Sequence, residues 1–207
     1  MSAVLEPVVA GPLLSEEDRA RAEHYAVLSR LFAAPPDGAF LEQLSRLAVA
    51  WGSAESALGR AWLALGDAAR SVDADQVEDE YTRLFLTIGR PEVMLFGSYY
   101  MAGFLMEGPV VELRADLAEL GLGRRLGVTE SEDHVAALSD VMRHLIVTGP
   151  DDAGLTRQQL FFNRHLAPWF EAMCDALEQA PEARFYPRTT ALVRAFFEIE
   201  RLSFDMI

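Results

Sequence analysis

Residues 75–88 read Asp-Gln-Val-Glu-Asp-Glu-Tyr-Thr-Arg-Leu-Phe-Leu-Thr-Ile. Val77, Tyr81, Leu84, Phe85 and Ile88 fall at i, i+4, i+7, i+8 and i+11, one apolar stripe of an α-helix, with Glu78, Asp79 and Glu80 between them. Gly89-Arg90-Pro91 ends the pattern, since proline cannot continue a helix. The spacing is helical, and nothing in it alternates with the period of two that a half-buried strand requires.

The same period extends in both directions. Ser15-Glu16-Glu17-Asp18 reads as an N-cap followed by an acidic first turn. Ala22, Tyr25, Leu28, Leu31 and Phe32 then keep helical spacing up to Pro35-Pro36. Helices are predicted over 38–50 and 54–70. After 75–88, the segment 93–97 is a loop carrying Met94, Leu95 and Phe96; loops run over the surface, so these residues are expected to be accessible. Ser98 is read as the cap of a short helix ending near Gly108-Pro109, and a further helix runs to Gly121. Gly121, Gly123 and Gly127 mark a hinge at which a domain-swapped dimer could form in place of a monomer. Helices are then predicted over 130–147, over 156–180 with a bend at Pro168, and over 185–204. The expectation is an all-α, single-domain helical bundle over 15–207, of about eight to ten helices, preceded by a disordered arm at 1–14.

Composition narrows the function. A chain of 207 residues, 51% of them hydrophobic, is long enough for one packed core. The formal net charge is −14 and every basic residue outside the four histidines is arginine. An acidic surface repels nucleic-acid phosphate and suits a basic partner. Without lysine there is neither a Walker-type phosphate loop nor Schiff-base chemistry. The single cysteine, Cys174, permits no disulfide framework. The longest uncharged run, 93–106, is 14 residues, short of the roughly 20 needed to span a bilayer. No secretory signal pattern opens the chain. A cytoplasmic protein without membrane insertion is expected.

The chemistry-bearing residues concentrate in Glu130-Ser131-Glu132-Asp133-His134. With Thr129 or Ser131 as cap, these carboxylates belong to an ordinary helix start. Glu130 and His134, at i and i+4, share a helix face and could hold a metal, which leaves open a metal- or nucleotide-dependent helical enzyme centred on Glu130, Asp133 and His134. No Glu-x-x-His and no Gly-x-Ser-x-Gly occurs. The alternative is a groove for peptide. Tyr81, Phe85, Phe96, Tyr99, Tyr100, Phe104 and Trp169 would line it, and Glu78, Asp79, Glu80, Glu130, Glu132 and Asp133 would rim it. Apolar pockets supply affinity, and carboxylates pair bidentately with guanidinium groups.

Four blocks carry a resemblance: Tyr81-x-x-Leu84-Phe85, Phe96-Gly97-Ser98-x-Tyr100, Glu130-x-x-Asp133-His134 and His165-Leu166-x-Pro168-Trp169. In this order they resemble the TorD/DmsD/NarJ family of molybdoenzyme-specific chaperones. The resemblance implies a TorD-like all-helical fold and a cytoplasmic, non-enzymatic chaperone. Such a chaperone binds the twin-arginine leader and the apo-form of a molybdenum-cofactor oxidoreductase, assists cofactor insertion and prevents premature export. It implies leader contacts at Tyr81, Leu84, Phe85, Phe96, Gly97, Ser98, Tyr100, Glu130, Asp133 and His134. Asp133 would pair with leader arginine, and His165, Pro168 and Trp169 would form a structural motif. No cofactor of its own is implied beyond a weak guanine-nucleotide or molybdenum-cofactor contact, and the sequence shows no phosphate-binding motif for one. The chain departs from the family pattern at Ser131, where proline is usual, and at Leu95-Phe96, where proline and tryptophan are frequent.

Overall fold

The computed structural model describes residues 14–86, 91–105, 108–123 and 131–207. Apart from Leu14, the expected N-terminal arm lies outside these residues, as do Ile88, Gly89, Gly127 and Glu130. Ten α-helices occur among the described residues: α1 Glu16–Ala33, α2 Gly38–Trp51, α3 Ala57–Ser71, α4 Ala74–Phe85, α5 Gly97–Ala102, α6 Gly108–Glu119, α7 Val135–Thr148, α8 Asp152–His165, α9 Phe170–Gln179 and α10 Tyr186–Phe204. The only β-type pairing among them is one antiparallel bridge, Phe96 to His134. None of the helices is long and apolar enough to cross a membrane.

Most helices begin as local sequence dictates. Ser15, Asp37, Ser56, Asp73 and Asp151 each accept a backbone N–H from the residue three positions on, and Asp73 with Gln76 forms a reciprocal capping box. Three helices do not: α5, α9 and α10 have Phe96, Trp169 and Phe185 at the cap position, and none of these side chains caps its helix. Their first N–H groups must find partners elsewhere, because buried unpaired donors are costly.

Tyr25, Leu28, Leu31 and Phe32 of α1 are buried in the centre of the core. Helix α1 lies against α7, α2 against α3, and α10 against both α3 and α9. A polar network ties α1 to α10 inside this core. Arg21 Nε and Nη2 donate to the two Glu200 oxygens at 2.6 and 2.9 Å, and the Tyr25 hydroxyl donates to Glu200 at 2.9 Å. Glu200 is 1% exposed, so removing Arg21 would strand a buried carboxylate, at a cost of about 3–5 kcal/mol.

Several boundaries differ from the sequence reading. Helix α7 starts at Val135, not at 130, because His134 is its cap: the ring Nδ1 accepts the Ala136 N–H at 3.1 Å. Ser131 does not play that part, Thr129 lies outside the described residues, and Glu132 and Asp133 lie in the turn before the helix. The long helix expected over 156–180 is two helices, broken at 166–169 rather than bent. Pro168 offers no N–H to continue the first. Ser98 is inside α5, not its cap, and α5 ends at Ala102, short of Gly108-Pro109, where α6 begins.

Candidate functional site

The residues singled out in the second and third blocks meet. The loop 95–98 and the turn 133–135 are held together by backbone bonds: Gly97 N–H to Asp133 O at 3.0 Å, and Val135 N–H to Leu95 O at 2.8 Å. The Asp133 carboxylate then supplies the missing cap of α5, accepting the Ser98 N–H at 2.7 Å. A carboxylate at a helix start is favoured by the partial positive charge there. Asp133 is buried, and its other oxygen, Oδ1, meets no hydrogen-bond donor among the described residues. The same is true of Ser131 Oγ. Beside this turn the Phe96 ring meets His134 edge-on, with centroids 5.0 Å apart. Because His134 Nδ1 accepts, its proton sits on Nε2.

The fourth block packs beneath the second. A Cβ built on Gly97 would lie 2.8 Å from Trp169 Nε1, so only glycine lets α5 approach the indole this closely. Trp169 donates its Nε1–H to His165 O at 2.6 Å and stacks on Tyr100 with centroids 5.7 Å apart. Tyr100 is anchored by its hydroxyl to Met94 O at 2.8 Å. His165 continues the chain of contacts to α6, with Nε2 2.7 Å from Asp116. Burial outweighs the Asp116 charge and holds His165 below its ordinary pKa, so the neutral ring donates to the carboxylate. Burial acts to raise the Asp116 carboxyl, but hydrogen bonds from Arg164 and His165 more than offset it, and the carboxyl sits below its usual range. Pro168 is exposed in the turn between α8 and α9. Asp116 was not singled out in the sequence; only its spacing on α6, one turn before Leu120, could have suggested an inward polar contact.

The first block goes elsewhere. Tyr81, Leu84 and Phe85 are buried in the core, where Tyr81 donates its hydroxyl to Phe32 O at 3.0 Å and both aromatic rings pack on Tyr186. In this conformation they offer no surface to a ligand. Glu80, read as a rim residue, is also buried. Its carboxylate accepts the Arg184, Phe185 and Tyr186 N–H groups at 2.8–3.1 Å, and so caps α10 from across the fold. Leu95, expected to be accessible, is buried as well, because its carbonyl and side chain belong to the seam with α7. Exposed apolar surface lies instead at the C-terminal end of α5 and just beyond it: Met101 is 41% and Phe104 71% exposed, with Leu105 beside them. Glu132 adds a negative edge and pairs with Arg114 at 2.9 Å. Glu130 lies outside the described residues.

Among the described residues no group of three or more His, Cys, Asp or Glu could hold a metal. His134 Nδ1 and one oxygen of Asp133 are committed to backbone N–H groups. The Cys174 thiol is fully buried, and burial pushes its pKa far up, which makes it inert as a nucleophile.

Comparison with known proteins bears on the family and the fold. A family model described as nitrate reductase delta subunit matches residues 52–175, more than half of the chain, and spans every block from Tyr81 to Trp169. The chaperone protein TorD of Photobacterium profundum is 24% identical over 130 residues, 58% of this chain and 60% of its own. TorD of Vibrio cholerae, El Tor Inaba strain, is 25% identical over 134 residues, 61% of either chain. The chain thus spans about three-fifths of the length of the curated relatives it matches. A crystal structure from Archaeoglobus fulgidus, of a protein assigned to redox enzyme maturation, superposes with a TM-score of 0.54. It covers 94% of this chain and 98% of its own at 17% identity, a likeness of fold. With the all-helical fold of the described residues and the motif order given above, the family match makes this chain a member of the TorD/NarJ family, whose model carries the description nitrate reductase delta subunit.

Proposed function

We propose that this protein is a cytoplasmic maturation chaperone for a molybdenum-cofactor oxidoreductase. It would hold the apo-enzyme and its twin-arginine leader until the cofactor is inserted, and it catalyses no reaction of its own. The observation that carries this reading is the junction of α5 with the Asp133 turn. There a backbone seam meets a buried carboxylate with one oxygen lacking a donor, and the short helix that starts from it carries the exposed Met101 near its other end, with the exposed Phe104 just beyond. Such a surface suits a peptide that is both basic and apolar. Asp133 Oδ1 and Ser131 Oγ offer acceptors to a guanidinium that reaches the turn, and Phe96, Tyr99 and Tyr100 offer ring faces. Tyr81, Leu84 and Phe85 support the surface from within rather than touching the peptide. The TorD name of the relatives supports a chaperone role.

The family description favours one second reading, a resident subunit of the oxidoreductase. The two separate on co-expression with a candidate catalytic subunit, in cells able and unable to make the molybdenum cofactor. A chaperone is captured with the apo-enzyme and absent from the mature one. Stoichiometric retention in the loaded enzyme would replace the chaperone reading by the subunit reading.

A further inference from the structure

A second surface shares no lining residue with the Asp133 turn. It is a depression of about 370 Å³ bounded by the start of α1, the start of α8 and the end of α10. Leu155, Phe204 and Met206 give it an apolar lining, and Met206 is 82% exposed. Four carboxylates surround it. Two are already engaged: Asp18 with Arg21 and Ser15, and Asp151 with the Gly154 N–H. Arg21 is neutralised by Glu200 and Asp18. Glu17 and Asp152 are exposed and have no partner among the described residues.

Carboxylates at helix starts are ordinary in themselves. What sets this pair apart is Gln158, which lines the same depression and is 2% exposed. Its Nε2 donates to Gly149 O at a long 3.4 Å, while its Oε1 meets no donor. Exchanging the amide's two ends would only set oxygen against oxygen. A buried acceptor left unpaired is disfavoured, and a ligand N–H entering the depression would satisfy it.

We propose that this depression binds an arginine-bearing, otherwise apolar peptide segment of a protein partner. A guanidinium presents five N–H donors in a flat fork, enough for Glu17, Asp152 and the Gln158 oxygen together; an ammonium is a single, more strongly hydrated point. The arginine stem and a neighbouring apolar residue would lie on Leu155, Phe204 and the adaptable Met206. The site is independent of leader recognition at the Asp133 turn.

The test is an amide ¹H–¹⁵N titration of the full chain with a blocked Leu-Leu-Arg-Leu peptide, its citrulline analogue and free arginine. The expected result is shifts confined to residues 15–21, 149–158 and 203–206 with the arginine peptide. Citrulline should weaken binding about tenfold, as should Glu17→Gln combined with Asp152→Asn, two exposed changes that leave the core intact. Gln158→Leu should weaken it while Asp133→Asn leaves it unchanged. An absence of shifts, equal binding of the citrulline peptide, or shifts at the Asp133 turn instead would overturn the proposal. Shifts of these residues with protein concentration alone would overturn it too, and assign the surface to a second copy of the chain.

Discussion

Glu80 and Asp133 each sit in an acidic run, and each commits its charge to the first N–H groups of a helix distant in sequence. Glu80→Gln keeps the shape but turns a donating NH₂ toward backbone N–H groups, so it should cost about 2–3 kcal/mol in urea unfolding. A loss within error would show that α10 does not depend on this cap. Gly97 carries a different constraint, since a Cβ there meets Trp169. Gly97→Ala should cost about 1–3 kcal/mol through overpacking and shift the Trp169 emission, with part of the loss recovered by Trp169→Phe. These roles were hidden in the sequence because acidic residues near a helix start also have an ordinary local use. The legible clue was the converse: Phe185 and Phe96 stand where a cap is needed and have no side chain able to provide one.

At the level of elements, the helical period fixed the fold class and most helices to within a few residues, and proline fixed the break at Pro35-Pro36. What failed was local: a histidine cap moved the start of α7, and Pro168 split one helix into two. Neither follows from periodicity, because both depend on which residue satisfies a helix terminus. Side-chain burial was also illegible, so the apolar stripe of α4 could be read as core or as groove; the structure makes it core. One element-level contact sets a pH dependence. His24 of α1 stacks between Trp51 and Phe196 at 4.4 and 4.9 Å, and receives the Trp62 Nε1–H at 2.9 Å while its Nδ1 faces Ala20 O. Only the neutral ring satisfies both bonds, and burial lowers its pKa. Above about pH 6.5 both folded and unfolded chains hold it neutral, and its contribution is complete. As pH falls below that, the unfolded chain takes up the proton first and stability declines toward the folded pKa. His165, also lowered by burial, acts in the same direction. The urea midpoint should therefore fall between about pH 7 and pH 5, with a shallower slope in His24→Gln; an unchanged slope would remove His24 from the account.

The whole molecule is an acidic helical body with net charge −14. If its partner is a basic leader, long-range attraction should speed association, and added salt should slow it. Stopped-flow rates at low and high ionic strength would check this, and salt-independent association would locate the affinity in apolar contacts alone. Family membership was legible at this scale because four short blocks occur along the chain in the order that the resemblance requires. The client is not written in the fold, since one scaffold can present many surfaces. The most direct test of the central claim is calorimetric titration of the full chain with leader peptides of molybdenum oxidoreductases, each beside its Arg-Arg→Ala-Ala control. The account predicts that one leader binds at about micromolar affinity or tighter, and that it weakens in the control and on Phe104→Ser. Absence of binding by every leader would contradict it.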